Sequence, residues 1–271
     1  MIDDLTLAGE LAREAGRLAA RMLADGLETR HKSSVSDVVS AADQAAEELI
    51  AERLREQRPA DGLVGEEGAY RPGGRTWFVD PVDGTYNFLA GLPFWCSAVA
   101  LVEQPTDADA SPEPAIGAVY YPLTDELWVG GVGRSATSRN GVPVRPLVDA
   151  PLAELSLASY QHPPRLADPD VREPMLAAIS GAATLRMLGS GSIELAQVAS
   201  GRLGAWVQLN CPDWDWLPGA ALVRAAGGRA EVFQHRGQRW HVAGNRQAVA
   251  DIRQRVTSCH PHAHDGPASG G

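Results

Sequence analysis

Twelve residues, Trp77-Phe78-Val79-Asp80-Pro81-Val82-Asp83-Gly84-Thr85-Tyr86-Asn87-Phe88, constrain this chain more than any other stretch. The apolar run Trp77–Val79 has the length and residue types of a buried strand. It delivers Asp80 at its end, and Pro81 is expected to stop it. Asp83 follows three residues after Asp80, so a tight turn there would aim both carboxylates at one point. Two like charges held that close repel unless a cation sits between them. Hard divalent cations such as Mg²⁺ favour this oxygen-rich setting, often shared with a substrate phosphate. Gly84 and Thr85 add a flexible corner, a hydroxyl and the first free N–H groups of a helix, which suit a phosphate oxyanion. Asp-Pro and Asp-Gly taken singly are ordinary turn dipeptides. The strand before them, the second Asp and the Gly-Thr after them favour phosphate-ester chemistry.

A chain of 271 residues can bury a sizeable core, as one large domain or two closely packed halves. Its 44% hydrophobic and 21% charged residues are those of an ordinary soluble globular protein. No apolar stretch approaches the roughly 18 residues that span a membrane, and no secretory signal is visible, so a cytoplasmic location without membrane contact is expected. Cys96, Cys211 and Cys259 are few and widely spaced, as in a reducing compartment. A formal charge of −10 argues against a nucleic-acid partner. It also means that a phosphorylated substrate would need metal to offset repulsion.

Apolar residues at helical spacing predict helices over Leu5–Leu23 and about Ala41–Arg55. Strands are expected at Trp77–Val79, Ser97–Val102, Ile116–Tyr121 and Leu127–Val129. The Pro- and Asp-rich segment Glu103–Pro114 reads as an exposed loop. Helices near Val171–Ile179, Ile193–Ala199 and Trp216–Ala226 then alternate with strands near Ala183–Leu188, Ala205–Leu209 and Ala230–Phe233. This order predicts a layered α/β protein with sheets covered by helices. One unit over 1–257 is expected, with halves at about 1–145 and 146–257. Residues 258–271 read as a tail, and the histidines there are set aside as incidental.

Further acidic groups stand at element ends. Glu66-Glu67 follow the short apolar Leu63-Val64, where two glutamates are usually a solvated turn. Asp215 opens a helix, where it and Asp213 compete for an ordinary capping role. Asp37 and Asp43 flank a polar-to-helical transition where capping is again the plain reading.

In order and context, these segments resemble the inositol monophosphatase family of metal-dependent, lithium-sensitive phosphatases. The resemblance covers residues 5 to 255 and rests on Trp77–Phe88, on Trp214-Asp215 with Ala226-Gly227-Gly228, on Gly65-Glu66-Glu67, and on Lys32-Ser33-Ser34 through Asp37 to Asp43. It implies a five-layer α-β-α-β-α sandwich, a homodimer, and two to three Mg²⁺ per site. Glu66, Asp80 and the Val82 carbonyl would hold the first ion. Asp80, Asp83 and Asp215 would hold the second, with Glu66 or Glu67 supporting a third. Asp43 and Thr85 would orient the attacking water, and Glu66 counts with them among the catalytic residues. The N–H groups of Gly84 and Thr85 would hold the phosphate. Asp37 and Lys32 would belong to a loop that closes over the site.

Substrate choice in this resemblance falls to the second half of the chain. Gly189-Ser190-Gly191 would face substrate hydroxyls together with Asp83 and Asp215; the plain alternative is a strand-to-helix connection capped by Ser192. Inositol-hydrolysing members carry a glutamate where this chain has Gln208, an amide that still bonds a polyol but lacks the charge to hold a cation. Inositol 1-phosphate leads as substrate; histidinol phosphate, fructose 1,6-bisphosphate and a 3′-phosphoadenosine nucleotide follow. A regulatory binding protein that keeps the fold is the competing class, which the full ligand set Glu66, Asp80, Asp83, Thr85 and Asp215 disfavours.

Overall fold

The computed structural model describes residues 2–28, 35–103 and 112–259. Lys32, most of the Glu103–Pro114 segment and the tail beyond Cys259 lie outside the described residues. Asp37 falls within a helix, but its side chain lies outside them too.

The chain opens with two long helices, α1 (Asp4–Glu28) and α2 (Val35–Gln57). The strands β1 (Gly62–Gly65), β2 (Tyr70–Arg71), β3 (Thr76–Asp83), β4 (Cys96–Val102), β5 (Pro114–Tyr121), β6 (Glu126–Gly131), β7 (Ser135–Arg139) and β8 (Val142–Pro143) follow, with the short α3 (Thr85–Ala90) between β3 and β4. They form one sheet in the order β2-β1-β3-β4-β5-β6-β7-β8, antiparallel except for β1 beside β3. A second sheet, β10-β9-β11-β13-β12, uses β9 (Ser156–Ser159), β10 (Thr184–Arg186), β11 (Ala205–Leu209), β12 (Arg229–His235) and β13 (Gln238–Gly244). Helices α4 (Pro169–Ile179), α5 (Gly191–Ala199), α6 (Asp213–Ala225) and α7 (Arg246–Thr257) alternate with these strands.

Side-chain alternation shows how the layers stack. Along β3, β4 and β5, one set of residues (Trp77, Val79, Val99, Leu101, Ile116, Ala118, Tyr120) meets Leu7, Leu11 and Ala15 of α1 and Ala46, Ile50 and Leu54 of α2. The alternate set (Phe78, Ala98, Ala100, Val119, Tyr121) meets Leu195 and Val198 of α5 and Trp216, Leu217 and Ala220 of α6. A strand buried on both faces needs apolar residues throughout, and β4 is buried at every position. The same two helices also cover Ala158, Trp206 and Ala243 of the second sheet. Its other face, with Leu157, Val207, Trp240 and Val242, is closed by Met175 of α4 and by Val249 and Ile252 of α7. The result is a five-layer α-β-α-β-α sandwich, as expected. Its central helical layer, α5 and α6, is shared by both sheets, and the chemistry gathers at one end of it.

Candidate active site

The end of β3 departs from expectation in an instructive way. Pro81 does not stop the strand: β3 continues to Asp83 through a bulge, with Asp80 opposite Ala98 and Asp83 opposite Cys96. A bulge tolerates proline, which has no N–H to offer a ladder, and it re-aims the side chains around it. The Ser97 hydroxyl donates to the Pro81 carbonyl, and the Val82 N–H donates to Asp80 Oδ1 at 3.1 Å. Asp80 and Asp83 are thereby buried together at the strand's end. Gly84 then takes φ 102°, a left-handed conformation, and a Cβ there would stand 2.8 Å from the Phe94 carbonyl oxygen. Thr85 begins α3 and donates its hydroxyl to the Val82 carbonyl at 3.2 Å. The first N–H groups of this helix have no partner within the helix.

Glu66 and Glu67 occupy the turn after β1. A carboxylate not singled out in the sequence, Glu47 of α2, accepts from the Glu67 N–H at 2.9 Å and the Ala69 N–H at 2.7 Å. It thereby fixes the loop that carries both glutamates. Gly65 is required beside it, since a Cβ would collide with the Glu47 carboxylate. Glu47 lies one helical turn after Asp43, and that i, i+4 spacing was the available signal for it. Asp43 is buried, and its Oδ1 has no hydrogen-bond partner among the described residues.

The second sheet contributes from the opposite side. Helix α6 starts at Asp213 with Pro212 as N-cap and no side-chain cap, so neither Asp213 nor Asp215 serves as the cap. Asp215 instead stands in the first turn and faces the β3 carboxylates. Ser190, not Ser192, caps α5, accepting from the Ile193 N–H at 3.4 Å. The Ser192 N–H donates to Asp83 Oδ2 at 2.5 Å, tying the first sheet's carboxylate to the central helices. Gly189 adopts φ 85° in the turn before α5. Its position is held by the buried Glu194, which accepts from the Leu188 N–H at 2.6 Å and from Trp206 Nε1 at 2.9 Å.

Electrostatics follow from this crowding. Burial pushes the Asp80 carboxyl well up, with further upward pressure from Glu66, Asp83 and Asp215. Asp83 is also raised by burial, against donors from Ser192, Ser190 and Gly191. Asp215 rises to about 8, by burial first and then by repulsion from Asp83 and Glu66. Asp43 likewise rises to about 8, by burial and then by Glu67, Glu66 and Glu47. Glu66 is open to the cleft yet hemmed in by protein, and desolvation leads its upward shift ahead of repulsion from Asp83. The set is strained as bare carboxylates and would be relieved by cations.

Whether these residues suit a metal can be judged from the donor set. Glu66, Asp80, Asp83, Asp215 and the Val82 carbonyl offer only hard oxygens, which match Mg²⁺ and not a thiolate-seeking ion. Among the described residues no three such groups already close on one ion position. In donor chemistry, all hard oxygens, the residues fit Mg²⁺.

A cleft of about 280 Å³ opens above these groups. Glu66, Asp80, Asp83 and Asp215 stand on its acidic side with Gly84 and Thr85, and Gly189, Gly191 and Gln208 line it from the second sheet. Asp43, Glu67, Val82 and Ser190 are not among the lining residues: Asp43 is buried on α2, Glu67 is exposed in the turn after β1, Val82 is inside the bulge, and Ser190 is occupied as a cap. Tyr86, Tyr160, Gln161, His162 and Arg165 also line the cleft, with Leu209, Asn210 and Pro212. Nothing local to Tyr160-Gln161-His162 in the sequence reveals that these residues face a cleft.

The fold and the acidic end of the cleft define a phosphatase of the five-layer, metal-supported class. The chain belongs to the inositol monophosphatase family, whose match runs over residues 3–265. It is 32% identical to inositol monophosphatase 3 of Solanum lycopersicum, over 91% of each chain. It is 34% identical to the histidinol-phosphatase of Mycobacterium tuberculosis, over 84% of this chain and 86% of that one. Among solved structures it resembles inositol monophosphatase II from Staphylococcus aureus, with a TM-score of 0.78 at 25% identity, covering 95% and 96% of the two chains. The protein is a phosphoric monoester hydrolase.

Proposed function

We propose that this protein is a Mg²⁺-dependent phosphomonoesterase of a small phosphorylated metabolite, with inositol 1-phosphate as the leading substrate. The observation that carries the reading is the convergence of four carboxylates from three places, the turn after β1, the end of β3 and the start of α6, on one cleft beside the N–H groups that open α3. Glu66, Asp80, Asp83, Asp215 and the Val82 carbonyl would hold two ions, and Glu67 would support a third. Bound cations would supply water acidity near neutral pH and charge neutralisation of the phosphate oxygens.

The chain's own residues account for the remaining work. Gly84 and Thr85 N–H groups hold the phosphate, their approach made possible by the left-handed Gly84. Among the described residues Asp43 Oδ1 is buried without a hydrogen-bond partner, an acceptor for a water proton once neighbouring cations hold the carboxylate ionised. Asp43 and Thr85 together orient that water, and no Cys, Ser or His nucleophile is needed. The Gly189–Gly191 turn and Gln208 face the leaving group. A polyol suits Gln208, whose amide both donates and accepts. We further read the protein as a cytoplasmic homodimer whose two halves, about 1–145 and 146–257, act as one unit. Among the described residues no helix is long and apolar enough to cross a membrane.

The reading is tested by phosphate release from inositol 1-phosphate, histidinol phosphate, fructose 1,6-bisphosphate and a 3′-phosphoadenosine nucleotide, with Mg²⁺ and with or without Li⁺. Mg²⁺-dependent, Li⁺-inhibited turnover of inositol 1-phosphate is expected. No release from any of the four would remove the reading.

A further inference from the structure

Asn87 joins the phosphate corner to the turn that faces the leaving group. It is the third residue of α3, two beyond Thr85. Its amide nitrogen Nδ2 donates to two main-chain carbonyls, that of Phe94 at 2.7 Å and that of Leu188 at 2.8 Å. A carbonyl oxygen only accepts, so the nitrogen of the amide, and not its oxygen, must face both. The two hydrogens of the NH₂ group are thereby spent, one on each carbonyl. Phe94 follows α3 in the first half of the chain. Leu188 lies 101 residues beyond Asn87, immediately before the Gly189–Gly191 turn.

These bonds bracket Gly84. A Cβ on Gly84 would stand 2.8 Å from the Phe94 carbonyl oxygen and 3.2 Å from that of Gly189, so both segments close on the same corner. A Cβ on Gly189 would stand 2.8 Å from Asn87 Nδ2, which places the amide directly against that turn. Leu188 is held at both its main-chain groups, the carbonyl by Asn87 and the N–H by Glu194 at 2.6 Å. Glu194 is fully buried and also accepts from Trp206 Nε1, so its own position is set. At the far end of the turn, the Ser192 N–H donates to Asp83. The segment from Leu188 to Ser192 is therefore pinned to the β3–α3 connection at both ends. Asn87 is the pin that lies outside the proposed cation shell.

Resting on the phosphatase reading above, we infer that Asn87 is a positioning residue that keeps the Gly189–Gly191 turn in register with the Gly84–Thr85 phosphate corner by clamping the Leu188 carbonyl. Asn87 is not among the residues that line the cleft, so it acts through the backbone it holds and touches no substrate. Without it the turn stays fastened to α5 through Glu194 but loses its tie to α3. A leaving group that bonds the turn depends on this register, because its hydroxyls and its phosphate must be met together. A leaving group that makes no bond to the turn does not.

The test compares inositol 1-phosphate with p-nitrophenyl phosphate, whose leaving group carries no hydroxyl for the turn. Asn87→Ala should lower the ratio of the two kcat/KM values roughly 10-fold, the equivalent of two lost hydrogen bonds. Asn87→Asp should do the same, since an ionised carboxylate suits the first turn of a helix but cannot donate to the two carbonyls. A loss shared equally by both substrates would mean a purely structural role and overturns the inference while the phosphatase reading stands. A wild-type ratio in both variants overturns it as well. Amide hydrogen exchange followed by NMR reads the clamp without turnover. The Leu188 and Ser192 amides are expected to exchange about 10-fold faster in Asn87→Asp than in wild type, and equal exchange overturns the inference. If wild type hydrolyses neither compound, the phosphatase reading fails by itself, and the exchange rates alone then decide whether Asn87 holds the turn.

Discussion

At the scale of single residues, Asp83 is the most informative side chain. It accepts from the Ser192 N–H and lines the cleft beside Asp80, so it serves both the scaffold and the proposed metal shell. Asparagine retains an oxygen for Ser192 but removes the charge. Asp83→Asn is therefore expected to keep its circular dichroism spectrum and lose on the order of 100-fold or more in kcat/KM, more than a supporting residue around a metal usually costs. Retained activity would mean the metal site is misplaced. The pH dependence has a definite sign. In the metal-free protein Asp43 and Asp215 titrate at about 8, against about 3.9 in an unfolded chain. Between those values the native state holds more protons than the unfolded one, so its stability falls as pH rises. Cation binding must expel these protons, so affinity rises with pH. Thermal melts should show the metal-free Tm declining from pH 5 to pH 8, and the increment added by Mg²⁺ growing over the same range. A pH-independent increment would contradict this.

At the scale of elements, the β3–α3 connection sets the geometry. Gly84→Ala places a Cβ against the Phe94 carbonyl at a left-handed φ, a combined strain of about 1–3 kcal/mol. Chemical denaturation should register that loss, and kcat should fall with it as the turn carrying Thr85 shifts. Much of this region was legible in the sequence because its signals are local: strand, paired aspartates and Gly-Thr lie within twelve residues. The bulge at Pro81 was not, since whether a proline ends a strand or sits in a bulge depends on the partner strand. Asp215 was located through resemblance, as capping explained it equally well from spacing alone. Strand β13 and helix α7 escaped notice for a different reason. The first begins with polar Gln238-Arg239, and the second carries a single apolar stripe, Ala248, Val249, Ile252 and Val256, on an otherwise polar surface helix. Arg165 could be placed only by folding, because the 3₁₀ turn Pro163–Ala167 of the second half meets a cleft whose acidic end comes mainly from the first.

At the scale of the whole molecule, the shared layer of α5 and α6 decides how the protein behaves. Both sheets bury apolar residues against it, and Trp206 stacks on Trp216 there, with centroids 5.7 Å apart. Neither half can expose that layer without losing a large part of its core. Unfolding followed by tryptophan fluorescence and by far-ultraviolet circular dichroism should therefore trace one coincident transition. Two separated transitions would show that the halves fold independently. The same layer joins the chemistry: Asp215 reaches the cleft from α6, whereas Asp80, Asp83 and Glu66 come from the first sheet and its loops. The central claim is that these carboxylates form one cation-dependent phosphatase site across both halves. The Mg²⁺ activation curve of Asp215→Asn against wild type, read as phosphate release from the best substrate, tests it most directly. At least a 10-fold higher Mg²⁺ requirement is expected for the variant; an identical curve at full activity would contradict the claim.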